Sequence, residues 1–231
     1  MTDDVFVSGI IVAAGSGTRM GRVAKPFIKL GDRTVLEYVL DAFLQSCVDE
    51  IIIVCADNSA FLPYIPANAS KPIIFAEGGR TRTISVYNGV SQSKKGEGIV
   101  CIHDCARPFV TADIINEVVN AAKESGAATA SHPVKDTIKY VNPNANTVYT
   151  PERKFLLSIQ TPQAFKKSVY SVSFMLAQKQ KATNTDETAL AENAGFSVAY
   201  VNTPETNIKL TTPEDIKIAK SILFLKSRGE L

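Results

Sequence analysis

Residues 10–26 read IIVAAGSGTRMGRVAKP: an apolar, β-branched run breaks into small residues and glycines, then into Arg19, Arg22 and Lys25. A buried strand that ends in such a turn is the opening of a β–α unit with a phosphate cradle, because Gly15 and Gly17 let backbone N–H groups approach anionic oxygens closely. Gly15, Gly17 and Gly21 give the spacing G-x-G-x-x-x-G. The dinucleotide fingerprint needs G-x-G-x-x-G, and the mononucleotide loop needs G-x-x-x-x-G-K followed by Ser or Thr. The loop fits neither. No acid stands about 20 residues on to take a ribose, which argues against a dehydrogenase.

Working outward, strand-like runs lie at 5–13, 50–55, 72–75, 98–102, 126–131 and 197–201, several of them continuously apolar as strands buried on both faces are. Helical segments with readable starts lie between them. Thr34 with Glu37 forms a capping box before LEYVLDAFL, Thr111 with Asp113 opens DIINEVVNAAKE, and Thr212-Pro213-Glu214-Asp215 opens the last helix. This alternation predicts a mostly parallel, Rossmann-like α/β sheet flanked by helices, with a binding crevice at the carboxyl ends of its strands. One segment departs from it. Residues 135–150, KDTIKYVNPNANTVYT, are two β-prone runs around an Asn/Pro turn, a hairpin signal. We expect residues 1–231 to form one domain with a protruding β-arm at about 133–155, packed on a second copy in a homodimer.

The bulk numbers exclude several classes. The chain has 231 residues, 45% of them hydrophobic and 21% charged, and a net charge of +2, too small for a nucleic-acid or membrane surface. The first residues, MTDDVFVSGI, lack a basic n-region, and no apolar run is long enough to span a bilayer. Four cysteines (Cys47, Cys55, Cys101 and Cys105) suit reduced thiols. A soluble cytoplasmic protein is expected.

Three clusters carry chemistry. Gly15 and Gly17 with Arg19 and Lys25 form the first. The second is EGGRTRTIS (77–85), where Gly78 and Gly79 permit another close backbone approach and Arg80 and Arg82 face an anion or solvent. The third is IVCIHDCARPF (99–109): Asp104, at a strand's carboxyl end, could take Mg²⁺, a ribose hydroxyl or Arg107. Cys101, His103 and Cys105 alternate there, but structural zinc needs four ligands and the chain has one other histidine, His132, so buried thiols are the better reading. DTIK (136–139), Arg153, QTPQ (160–163), TDE (185–187) and NIK (207–209) each admit a structural explanation; Asp186, for one, could cap the helix after it. With no G-x-S-x-G elbow and no poised histidine, the inventory suits a reaction that needs no protein nucleophile.

As a set these residues are familiar. AAGSGTRMGRVAKPF resembles the opening motif of the nucleotide-sugar-type nucleotidyltransferases. The ordered series GGRTRTISV, HDCARPF, PVKDTIK, QTPQAF, TDE and NIKLTTPED is similar, over nearly the whole chain, to the 2-C-methyl-D-erythritol 4-phosphate cytidylyltransferase family. That family usually has Pro-Lys-Gln where this chain has Ala24-Lys25-Pro26. Cys105 stands where a small residue is common, which is harmless if its backbone N–H is what meets the nucleotide. The resemblance implies transfer of CMP from CTP to a polyol phosphate, releasing pyrophosphate, in a Rossmann-like fold whose arm interlocks a homodimer. It implies that Ala13, Ala14, Gly15, Ser16, Gly17 and Thr18 cradle CTP, that Arg19 and Lys25 stabilise the transition state, and that Mg²⁺ bridges triphosphate oxygens. Gly79, Arg82 and Ser85 would lie by the cytosine, Asp104 and Cys105 by the ribose and metal, and Arg107 would brace their loop. Thr137 and Arg153 would hold the polyol phosphate across the dimer interface, Lys209 would neutralise the meeting phosphates, and Asp186 would reach polyol hydroxyls. Ribitol-5-phosphate cytidylyltransferase and a nucleotide-binding module without activity are the alternatives.

Overall fold

A computed structural model describes residues 5–15, 24–142, 147–180 and 186–231. Its strands are β1 (Val7–Val12), β2 (Lys29–Leu30), β3 (Arg33–Thr34), β4 (Glu50–Cys55), β5 (Ile73–Glu77), β6 (Ile99–Asp104), β7 (Ala127–Pro133), β8 (Tyr140–Asn142), β9 (Thr147–Tyr149), β10 (Leu157–Lys166) and β11 (Ala199–Asn202). The helices are α1 (Val35–Gln45), α2 (Arg82–Gln92), α3 (Ala112–Ser125), α4 (Lys167–Gln180), α5 (Glu187–Asn193) and α6 (Pro213–Ser227). Seven strands form one sheet in the order β11-β7-β10-β6-β1-β4-β5.

The apolar runs explain the layers. All of β4 is buried, and its side chains alternate between the two faces. Ile51 and Ile53 join Leu36, Leu40 and Phe43 of α1 and Val118 of α3 in one apolar cluster. Ile52 and Val54 join Val86 of α2 and Phe174 of α4 in a second, on the other face. The starts read from sequence recur in atomic detail. Thr34 and Glu37 cap α1 reciprocally, the Thr111 hydroxyl accepts the Ile114 N–H at 3.3 Å, and the Asp215 carboxylate accepts the Thr211 and Thr212 N–H groups at 2.7 Å each.

β1 pairs in parallel with β4 and β6, and β4 with β5, so their carboxyl ends share one edge. The strand of the seven-stranded sheet absent from the sequence reading is β10, which runs antiparallel between β6 and β7. Its stretch, LSIQTPQAFK, contains a proline and three polar residues beside it, which masks a central strand. A register shift between Ile159 and Gln163 accommodates Pro162, which has no N–H to give the ladder.

β8 and β9 pair antiparallel as a separate two-stranded sheet, with Tyr140 opposite Tyr149 and their ring centroids 4.9 Å apart. Tyr140, Val141, Val148 and Tyr149 are exposed. Among the described residues, no helix is long and apolar enough to cross a membrane.

Candidate active site

The carboxyl edge opens into a cleft of about 540 Å³, lined by Ala13–Gly15 after β1, Lys25 and Pro26, the loop 79–82 with Ser85, residues 104–106 after β6, and Lys209. Chain segments far apart in sequence meet here because the parallel strands deliver their following loops to one side.

Gly78 and Gly79 are required by close packing. A Cβ on Gly78 would fall 2.4 Å from the Ala14 Cβ, and one on Gly79 would fall 2.3 Å from Ile84. The Ser85 hydroxyl accepts the Gly79 N–H at 2.9 Å and donates to the Thr81 carbonyl at 3.0 Å, so it shapes its own loop. Lys25 begins a short 3₁₀ turn, Lys25–Phe27, in which Pro26 is buried, and its Nζ donates to the Leu210 carbonyl at 2.8 Å.

The charges form a chain. Arg82 donates from Nε to Asp104 Oδ1 at 2.9 Å and from its NH1 nitrogen to Glu187 Oε2 at 2.6 Å; Lys209 Nζ donates to Asp104 Oδ2 at 2.5 Å. Burial works against the ionised Asp104, but Arg82 and Lys209 outweigh it and hold the carboxyl well below the usual carboxylate range. At Glu187 the balance is reversed, and burial keeps its pKa raised despite Arg82.

Behind the cleft, β10 supplies polar groups that set this geometry. Thr161 Oγ1 accepts the Asp104 N–H at 3.1 Å and lies 3.1 Å from His103 Nδ1. His103 Nε2 lies 3.1 Å from the Arg107 carbonyl, which can only accept, so Nε2 carries the ring proton and Thr161 donates to Nδ1. Gln160 Oε1 receives Asn207 Nδ2 at 2.9 Å, and Gln163 Oε1 receives the Glu187 N–H at 3.2 Å. Arg107 donates to the Asn207 carbonyl at 2.8 Å and so ties the loop after β6 to the segment carrying Lys209.

A model of the 2-C-methyl-D-erythritol 4-phosphate cytidylyltransferase family matches residues 7–224. This chain belongs to that family. A cytidylyltransferase of that name from Alkaliphilus oremlandii is 40% identical over 228 residues, 96% of this chain and 97% of the relative. Another from Clostridioides difficile is 40% identical over 229 residues, 97% and 96% of the two chains. Among solved structures, 4-diphosphocytidyl-2C-methyl-D-erythritol synthase from Anaerococcus prevotii superposes with a TM-score of 0.86 at 32% identity, over 96% of this chain and 97% of that one. The Thermus thermophilus cytidylyltransferase superposes with a TM-score of 0.74 at 30% identity, over 94% and 98%.

Within this cytidylyltransferase fold, Ala13, Ala14, Gly15, Lys25, Gly79, Arg82, Ser85, Asp104, Cys105 and Lys209 meet at one cleft. Ser16, Gly17, Thr18 and Arg19 lie outside the described residues. Two backbone groups at the cleft are already engaged within the sheet. The Cys105 N–H donates to the Val12 carbonyl at 3.0 Å, and the Ala13 N–H to the Val54 carbonyl at 2.8 Å, so neither is offered to a nucleotide. The Cys105 thiol is buried, which pushes its pKa up. Arg82 lines the cleft and is engaged by two carboxylates, which makes it a brace of the cleft wall. Asp186 caps α5, its Oδ1 accepting the Ala189 N–H at 2.9 Å. Arg153 lies apart, in a depression with Pro133, Val134 and Leu157, and donates to the Lys135 carbonyl at 2.6 Å; Thr137 is exposed beside the hairpin. Glu187, His103, Gln160, Gln163 and Asn207 escaped assignment. For Gln160, Gln163 and Glu187 the one signal is polar residues crowded around Pro162 and beside a capping aspartate.

His103 makes stability depend on pH. Burial pushes it down to about 4 from its ordinary 6.5, while its bond to Arg107 resists. The unfolded chain therefore binds a proton below about 6.5 that the folded chain refuses until about 4. Stability is full above that window and falls as pH drops through it, by roughly 3 kcal/mol in all. Thermal melts at pH 7.5 and 4.5 should differ more for the wild type than for His103→Gln; equal differences would remove His103 as the source.

Proposed function

We propose that this protein transfers the cytidylyl group of CTP to 2-C-methyl-D-erythritol 4-phosphate, releasing pyrophosphate, in isoprenoid precursor synthesis. The observation that carries this reading is the cleft's composition: a glycine loop, Lys25 and Lys209 from opposite ends of the chain, and Asp104, with no nucleophilic triad among the lining residues. The names borne by its relatives agree with it.

The chemistry explains the inventory. A phosphate monoester has a second pKa of about 6, so the acceptor arrives as its own nucleophile and needs no general base. Its oxygen bonds to the α-phosphorus while the bond from that phosphorus to the bridging oxygen breaks, and pyrophosphate leaves with the electron pair. The obstacle is repulsion between anions, which positioning and fixed positive charge remove. Lys25 and Arg19 serve the α-phosphate, Lys209 the incoming phosphate, and amides after Ala13 the triphosphate.

Asp104 is the carboxylate among the described lining residues, and these residues contain no cluster of three or more His, Cys, Asp or Glu fit for a metal. That donor set suits a divalent cation, Mg²⁺ in this reading, carried largely by the triphosphate, which Asp104 would help to hold. Such an ion would neutralise triphosphate charge and favour the leaving group.

The polyol phosphate falls to Thr137 and Arg153 of a second copy in a homodimer, since Arg153 lines a separate depression on its own chain. Asp186 has one carboxylate oxygen engaged in its cap and the other to offer a polyol hydroxyl. The four cysteines, all free, suit the cytoplasm. Arg153→Ala should chiefly raise the KM for the polyol phosphate; an unchanged value takes Arg153 out of the site. Pyrophosphate release from CTP, followed with methylerythritol phosphate and with ribitol phosphate, with and without Mg²⁺, tests the whole reading. Release with the first polyol and Mg²⁺ is expected. Preference for ribitol phosphate changes the acceptor, and release with neither favours a binding module.

A further inference from the structure

Glu187 lies outside the lining of the cleft, yet its carboxylate is built into the charge chain. It is 1% exposed, its Oε2 takes the Arg82 guanidinium at 2.6 Å, and its Oε1 is buried without a partner. Burying a carboxylate is costly, and an apolar side chain would pack the first turn of α5 against its neighbours at lower cost. The residue therefore calls for an explanation beyond packing, and the other edge of Arg82 supplies one. Both Nε and the NH2 nitrogen of Arg82 engage a single Asp104 oxygen, Oδ1, at 2.9 Å, while Oδ2 is held by Lys209.

Left alone, an arginine beside a carboxylate favours the two-point fork that uses both oxygens. Here the third guanidinium nitrogen is tied to Glu187 from the opposite side. We propose that Glu187 is a positioning residue for the transfer reaction: by anchoring Arg82 it confines that cation to one oxygen of Asp104 and leaves the other exchangeable toward the cleft. The exchange matters because Lys209 must leave Asp104 to meet the phosphates. Without Glu187, Arg82 closes on both oxygens, and Asp104 is neutralised by the wrong partner. This inference rests on the proposed transfer reaction.

A double-mutant cycle separates this role from simple fastening of α5 to α2. Glu187→Gln keeps size and an acceptor but removes the charge; Arg82→Lys keeps a charge but cannot bridge two partners. With folding checked by circular dichroism, Glu187→Gln should lower kcat by about 10–100-fold, the range for supporting groups behind a site, with the KM for CTP changed much less. In the Arg82→Lys background the same substitution should cost little more. In the nucleotide-free protein, the Arg82 NH1 protons that face Glu187 should give a slowly exchanging NMR signal that Glu187→Gln abolishes, while the Nε–H on Asp104 stays protected. If the amide variant does not fold, Glu187→Asp, which withdraws the charge by one methylene, should lower kcat in the same way. An unchanged kcat, losses that multiply in the double variant, or an unaltered Arg82 signal would each overturn the proposal. A wild-type protein that releases no pyrophosphate would instead remove the transfer reading, and the NMR signal would still report on the clamp.

Discussion

Lys25→Ala should lower turnover about 10²–10³-fold in a protein that still folds, the loss typical when one preorganised charge-stabilising group is removed from a transition state. The size of the effect follows from where the lysine is held. Its Nζ is tied to the Leu210 carbonyl, so it stands beside the segment carrying Lys209, and both line the cleft. A lysine held at the edge of the cleft, beside the meeting point of two phosphates, needs little reorganisation as charge moves to the departing pyrophosphate, whereas water would have to reorient. Folding should survive, because the substitution removes polar contacts at the cleft, the bond to the Leu210 carbonyl among them, and no apolar core. Steady-state kinetics should show kcat falling with a smaller change in the KM for CTP. A folded variant with near-normal turnover would mean that Ala24-Lys25-Pro26 does not present the reacting lysine.

Arg82→Ala should instead damage the fold, by about 3–5 kcal/mol, the cost of removing one partner from a buried ion pair. Arg82 serves two carboxylates, and Glu187 has no other partner for either oxygen among the described residues. Its loss leaves Glu187 buried and uncompensated and Asp104 dependent on Lys209 alone. For a chain of this size the melting temperature should fall by about 10 °C. Because neutral carboxyls tolerate burial, the deficit should shrink as pH is lowered toward the carboxylate range. Calorimetry at pH 7.5 and 5 checks both statements, and a variant that melts with the wild type would show that the pair carries no structural weight.

How far the sequence carried these conclusions differs by element. β4 and the capped starts of α1, α3 and α6 were legible because apolar runs and capping boxes are local signals. β10 was not, since its centre is QTPQ and a central strand with a buried proline contradicts the usual pattern; only its neighbours β6 and β7 make it a strand. In the cleft, the side chains that carry charge were readable from their motifs. Which backbone groups remain to bind a nucleotide was unreadable, because the Cys105 and Ala13 N–H groups are claimed by neighbouring strands. Glu187 was hidden for a similar reason: its burial depends on α5 packing behind Arg82, which no spacing in TDE announces. Arg153 was readable as a motif, yet its own chain keeps it out of the cleft.

In the proposed reaction an acceptor phosphate attacks the α-phosphorus of CTP with no protein nucleophile between them. Phosphorus NMR of the wild-type protein incubated with CTP, Mg²⁺ and methylerythritol phosphate tests it directly. The triphosphate and monoester signals should be lost, and free pyrophosphate should grow together with two mutually coupled resonances of an unsymmetrical diphosphate. Pyrophosphate with CMP and unchanged methylerythritol phosphate, or no consumption of CTP, would contradict it.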